Sequence, residues 1–221
     1  GVVLADADIG RAAELCARSR LINGGQSCIA AKRFIAVSAV YEEFLEAFVQ
    51  AMRAPVMGDP LLPGTTLGPL ARPDLREALH GQVQATVAEG AQLLLGGDIP
   101  EGAGAFYPPT VLAGVSPEMT AGREELFGPV AALMRARDEA QAIELANATT
   151  FGLGAAIFTR DVDRAEKIAR ASLEAGSVFI NDFVKSDPRL PFGGIKDSGY
   201  GRELGLSGFR SFVNTKTIQR A

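Results

Sequence analysis

The residues best equipped for covalent chemistry stand together in Asn23-Gly24-Gly25-Gln26-Ser27-Cys28. A thiol here follows two glycines and two amide side chains. Glycine lets backbone come close to a bound atom, and backbone N–H groups can then face the atom under attack. A thiolate in such a place is a strong nucleophile toward a carbonyl carbon. A tight structural turn has much the same composition, and chemistry alone leaves both readings open.

A second group lies in Asp182-Phe183-Val184-Lys185-Ser186-Asp187-Pro188-Arg189-Leu190-Pro191-Phe192. The Arg189 guanidinium can grip a carboxylate with two parallel hydrogen bonds, and the Ser186 hydroxyl can add a third. The alternative is a surface ion pair. Phe192, before Gly193-Gly194, reads as an apolar wall near the sulfur or as part of a tight turn. Glu125 reads, on composition alone, as a surface acid at a helix or turn terminus. Cys16 falls inside a helical pattern and reads as a small core residue. His80 is the only histidine. It faces away from the apolar stripe of its helix and reads as solvated. One histidine and no Cys/His cluster of ligand spacing argue against a Cys–His hydrolase and a metal site.

The elements that must hold these groups follow from periodicity and caps. Gly1-Val2-Val3-Leu4 is strand-like. Asp8 can cap a helix to about Arg20, and a strand follows near Arg33 to Val37. Phe44, Leu45, Phe48 and Met52 recur at helical spacing and predict a helix over Tyr41 to Arg53. The Pro/Gly-rich stretch 58–69 predicts a loop. Pro73 opens a helix to about Glu89, with Leu75, Leu79, Val83 and Val87 inward and Gly90 as its stop. Leu93 to Leu95 predicts a short strand, and residues 96–110 a loop.

Then comes a rhythm: strand 130–135, helix 138–146, strand 154–159, helix from Asp161 to Ala175, strand 177–181. Short joints between such elements mean parallel βαβ units. The fold class is therefore α/β, a mostly parallel twisted sheet with helices on both faces. In such sheets ligands gather where chain leaves the carboxyl ends of strands, which directs attention to 182–192. Phe209 to Gln219 alternates like a strand, and a terminal strand can pair with another subunit's sheet edge.

The chain has 221 residues, 47% hydrophobic and 22% charged, with a net charge of −4. That balance is globular, and without a basic block nucleic acid is not expected as a partner. No apolar run of about 18 residues predicts a membrane span. Two cysteines make no disulfide framework, which fits a reducing, cytoplasmic setting. The first residue is not methionine, and no Gly-x-Gly-x-x-Gly opens a helix after a strand. The expectation is a piece of a longer protein.

Asn23 through Phe34 resembles the cysteine motif of the aldehyde dehydrogenase superfamily. Glu124-Glu125-Leu126-Phe127-Gly128-Pro129-Val130 is similar to its second signature. Pro191-Phe192-Gly193-Gly194-Ile195-Lys196-Asp197-Ser198-Gly199-Tyr200-Gly201-Arg202-Glu203 is similar to its third. The three stand in the family's order. Arg72 to His80 and Ala105 to Leu112 make the likeness closest, within the superfamily, to the succinate-semialdehyde dehydrogenases. The resemblance implies a catalytic domain over residues 1–206 and a C-terminal strand over 207–221 that assembles a homo-oligomer, a dimer or tetramer.

It also implies NAD or NADP as the oxidising cofactor and Cys28 as the nucleophile in the oxidation of a small-molecule aldehyde to a carboxylic acid. Glu125 and Phe127 would contact the nicotinamide ribose and ring. Ser186, Arg189 and Phe192 would contact substrate, with succinate semialdehyde the favoured one. An N-terminal dinucleotide-binding domain, absent from this chain, a general base and a second oxyanion donor are implied upstream of residue 1, so the chain alone is expected not to turn over. The alternatives are another aliphatic or amino aldehyde, with Arg189 structural, and a non-catalytic oligomer-forming module of the same fold.

Overall fold

Side chains along a strand alternate between the faces of a sheet, and here the alternation sorts the core into two layers. Val2, Ile35, Val37, Ala132, Met134 and Ala136 point to one side, and Val3, Phe34, Ala36, Ala131 and Leu133 to the other. Both faces are apolar, so both must be covered. The computed structural model, which describes residues 1–221, shows how.

The chain runs from β1 (Val2–Val3) through α1 (Ile9–Leu21) and a 3₁₀ turn at Ile22–Gly25 to β2 (Arg33–Val37). Then come α2 (Tyr41–Arg53), α3 (Pro73–Ala88), β3 (Gln92–Leu95), β4 (Thr110–Ala113) and the short α4 (Thr120–Arg123). The second half holds β5 (Val130–Ala136), α5 (Glu139–Asn147), β6 (Phe151–Gly152), β7 (Gly154–Phe158) and α6 (Val162–Ala171). It closes with β8 (Ser177–Ile180), β9 (Ile195–Lys196) and α7 (Gly205–Arg210). Seven strands form one sheet in the order β3-β4-β5-β2-β1-β7-β8. Every pair in it is parallel except β3–β4. Helices α1 and α2 cover one face, with Cys16, Phe44 and Phe48 in that layer. Leu79 and Val83 of α3, Ala142 of α5 and Ile168 of α6 cover the other.

Three helices begin where the sequence puts them. Asp8, Asp138 and Asp161 accept hydrogen bonds from the backbone N–H of Arg11, Gln141 and Arg164. Each cap satisfies a donor that the first turn leaves without a helical partner. No helix is long and apolar enough to cross a membrane.

Other expectations need correction. The loop expected over 96–110 ends in a strand: Thr110 starts β4, fully buried between β3 and β5. A four-residue strand buried on both sides shows no alternation to read. Helix α6 stops at Ala171, short of Ala175, because Asn147 captures the turn: its amide donates to Ser172 O and accepts from Glu174 N. Leu75, in the first turn of α3, is exposed, since that helix reaches the sheet only from Leu79 onward. His80 is half-buried, not solvated. Its Nδ1 lies 3.2 Å from the hydroxyl of the buried Tyr107, which needs a polar partner.

The C-terminal segment begins as helix α7 through Arg210, where a strand was expected from Phe209. Beyond it no ladder forms with any strand of this chain, and Phe212 and Ile218 are 92% and 86% exposed. A strand needs a neighbouring edge to pair with, and this segment pairs with none in the chain.

Candidate active site

Cys28 lies five residues before β2, and Glu125 lies five residues before β5. These strands are adjacent and parallel, with Arg33 opposite Ala132. Their incoming loops therefore emerge side by side at the amino ends of the strands. The carboxyl-end rule fails for this pair. It directs attention to the loop leaving β8, but that chain turns back. After Phe192 it forms β9, which pairs antiparallel with β6 just ahead of β7, again at the amino edge.

The cysteine loop is braced from within. Asn23, Gly24 and Gly25 have φ of 51°, 63° and 77°, a left-handed run that only glycine and asparagine adopt at low cost. A Cβ on Gly25 would stand 2.1 Å from the carbonyl oxygen of Gly128, so the two loops touch backbone to backbone here. Beneath them lies Arg20, with no solvent exposure. Its Nη2 donates to Gly25 O at 2.7 Å, while Nε and Nη1 find no acceptor. Burial, opposed by the Glu125 carboxylate, lowers its pKa to about 9. The Gln26 side chain accepts from Ala71 N at 2.8 Å and donates to Asn23 O, which fixes the loop to the chain ahead of α3.

Cys28 itself is exposed, and its own N–H has no acceptor in the protein. Cys16 is buried, and burial pushes its thiol up to about 12. One sulfur can meet a reagent and the other cannot.

Lys32 joins the two loops. Its Nζ is 3.0 Å from Glu125 Oε1, 3.1 Å from Ala30 O and 3.4 Å from Cys28 O, and 5.9 Å from the centre of the Phe127 ring. Burial and the nearby Arg20 cation lower its pKa, against the pull of Glu125. Along this segment Leu126 is fully buried, while Glu125 and Phe127 face outward. Glu124 is solvated, and its Oε2 accepts from Gln82.

A cleft of about 360 Å³ opens over this edge, lined by Cys28, Lys32, Glu125, Phe151, Val184 and Ser198 among others. Phe127, Ser186, Arg189 and Phe192 are outside its lining. Ser186 is exposed. Both arms of Arg189 lie on Asp187, at 2.9 and 2.6 Å, and the guanidinium is 85% exposed. That pair holds the Asp187 carboxyl well below the usual carboxylate range. Phe192 is half-buried and pairs with Glu203 through backbone in both directions. Sequence reasoning gave no role to Arg20 or Lys32. For Arg20 the available signal was its spacing: four residues after the core residue Cys16 it must face inward. For Lys32 it was a cation directly before an apolar strand.

Residues 1–218 match the model of the aldehyde dehydrogenase family. The chain is 53% identical over 217 residues to the succinate semialdehyde dehydrogenase (NAD(P)+) Sad of Escherichia coli, covering 98% of this chain and 47% of that protein. It is 48% identical to a probable succinate-semialdehyde dehydrogenase (NADP(+)) of Synechocystis, again covering 98% and 48%. The crystal structure of succinic semialdehyde dehydrogenase from Streptococcus pyogenes with NADP+ superposes at a TM-score of 0.95 with 39% identity, over 99% of this chain and 48% of that one. The chain thus spans about half the length of the curated relatives it matches. An exposed thiol on a braced loop, a carboxylate on the adjacent loop and a match running nearly end to end agree on one conclusion: the chain belongs to the aldehyde dehydrogenase family.

Proposed function

We propose that these residues form the cysteine-bearing half of a site that oxidises an aldehyde to a carboxylic acid, with succinate semialdehyde the substrate. The observation that carries the reading is the exposed Cys28 with an unpaired backbone N–H, set beside Glu125 on the neighbouring strand loop. The Cys28 sulfur bonds to the aldehyde carbon, and the carbonyl oxygen gains the charge. The Cys28 N–H is placed to steady that oxygen, and one such donor is typically worth about 10²–10³ in rate. The resulting thiohemiacetal loses a hydride to become a thioester, and water then releases the acid and restores the thiol.

The nicotinamide nucleotide, NAD or NADP, supplies the hydride acceptor when bound. The residues here fit its ribose and ring. Lys32 uses only Oε1 of Glu125, and no protein group donates to Oε2, which is left to accept from hydroxyls. Phe127 offers a 41% exposed aromatic face beside it. No Gly-rich phosphate cradle lies in these residues. The nucleotide's main contacts, the general base and the second oxyanion donor belong, in this reading, to chain beyond residues 1–221.

The relatives named for succinate semialdehyde favour a substrate with a distal carboxylate. Arg189 and Ser186 are its proposed anchors and Phe192 its apolar wall. The substrate carboxylate must then displace Asp187 from the Arg189 fork. The exposed C-terminal segment 207–221 is the proposed contact that assembles a homo-oligomer. A panel of aldehydes on the full-length protein tests the substrate. Succinate semialdehyde should show the highest kcat/KM, and preference for an uncharged or amino aldehyde would refute the choice.

A further inference from the structure

The cation that touches both loops has no place in the reaction just described. Lys32 stands immediately before β2, so its backbone is fixed by the central sheet. Its side chain is 16% exposed, and its ammonium meets the carbonyls of Cys28 and Ala30, the Glu125 carboxylate and the Phe127 ring together. A partly buried ammonium held by three oxygens is a fixed point and not a wandering surface charge. Glu125, by contrast, is exposed and has no other side-chain donor.

We propose that Lys32 is a positioning residue: it holds the Glu125 carboxylate and the Phe127 ring in register with the Cys28 loop, so that cofactor and nucleophile meet at a fixed separation. The inference rests on the reading of Glu125 and Phe127 as the cofactor-facing pair. Arg20 reinforces it from below. This buried guanidinium holds Gly25 O and sits close enough to Glu125 for the two charges to interact. The group therefore carries two cations against one carboxylate. Lys32 cannot swing inward toward Arg20, and the carboxylate remains its one charged partner.

The test uses the full-length protein and reads NAD(P) affinity by fluorescence titration, which needs no turnover. Lys32→Met and Lys32→Gln should each weaken cofactor binding about tenfold, an ordinary coupling for a partly buried charged pair. Lys32→Arg should recover most of that loss. In a Glu125→Gln background, Lys32→Met should add less than about twofold, because the interaction is already gone. Wild-type affinity in Lys32→Met would overturn the proposal. So would the same tenfold loss in the Glu125→Gln background, since that pattern reports packing alone. Should Lys32→Met fail to fold, Lys32→Gln and Lys32→Arg carry the same comparison. If the wild type binds NAD(P) yet oxidises no semialdehyde, the substrate reading fails and Lys32 stands. If Glu125→Gln binds cofactor like the wild type, the Glu125 reading fails and takes this inference with it.

Discussion

The loop that carries Cys28 and the loop that carries Arg189 are held by different kinds of interaction. In the first, backbone meets backbone at Gly25 and Gly128, a buried guanidinium grips Gly25 O, and Lys32 ties the segment to its neighbour. In the second, the ion pairs are local and exposed: Lys185 with Asp182, and Arg189 with Asp187. Tertiary bracing fixes a reacting atom in space, as nucleophilic attack requires. Local pairs hold a loop shape but let it adapt, which suits recognition of different substrates. In the reading proposed above, the braced loop holds the chemistry and the adaptable loop the choice of substrate.

The sharpest way to break this contrast is at the sulfur. Cys28→Ala in the full-length protein should lower kcat by at least about 10³-fold. Thermal stability should hardly move, since the side chain is exposed. Cys16→Ala should do the reverse, losing about 1–2 kcal/mol from the α1 layer with kinetics retained. Iodoacetamide near neutral pH should label Cys28 and spare Cys16, whose buried thiol is pushed up to about 12. Equal labelling of both would dissolve the distinction between them.

Bracing can be tested where the loops touch. Gly25→Ala forces a Cβ against Gly128 O and imposes a left-handed φ on alanine. The expected loss is roughly 3 kcal/mol or more, together with turnover. The matching change in the other loop, Leu190→Ala, should cost under about 0.5 kcal/mol, because Leu190 is 59% exposed. Denaturant melts of the two variants make the comparison, and similar midpoints would remove the claim that one loop is braced and the other is not.

How much of this was legible in the residues depends on the range of the force involved. Caps at Asp8, Asp138 and Asp161 act over three residues, and the sequence announces them. The strand–helix rhythm from 130 to 181 likewise declared a parallel sheet with helices on both faces. Strand β4 did not, because burial on both sides erases alternation. The C-terminal end of α6 and the state of His80 were set by Asn147 and Tyr107, partners 25 and 27 residues away. At the site, Cys28 and Glu125 could be named as types, but their adjacency comes from the register of β2 on β5. The roles of Arg20 and Lys32 exist only through that adjacency.

The smaller effects belong to the Arg189 loop. Arg189→Ala should raise KM for succinate semialdehyde about tenfold while sparing an uncharged aldehyde, the scale of one exposed bidentate contact. An unchanged specificity constant would end the anchor reading and leave a surface ion pair.

Asp187→Asn is the most discriminating of the small changes, because its predicted sign is opposite. In the present arrangement Asp187 occupies the fork that the substrate carboxylate needs. Removing its charge should lower KM for succinate semialdehyde by about two- to threefold, the modest size expected of a solvated pair. High salt should narrow the difference from wild type, since exposed charges are screened. The pH behaviour follows from the direction of the shift. The Arg189 hydrogen bonds hold the Asp187 carboxyl well below its usual range, so the pair is fully formed above that range and breaks only as pH falls beneath it. Asp187 must therefore compete undiminished at every pH above about 5, and KM should carry no inflection from it there. A rise in KM for Asp187→Asn would mean that Asp187 holds Arg189 in place for the substrate, and the second loop would then be braced after all.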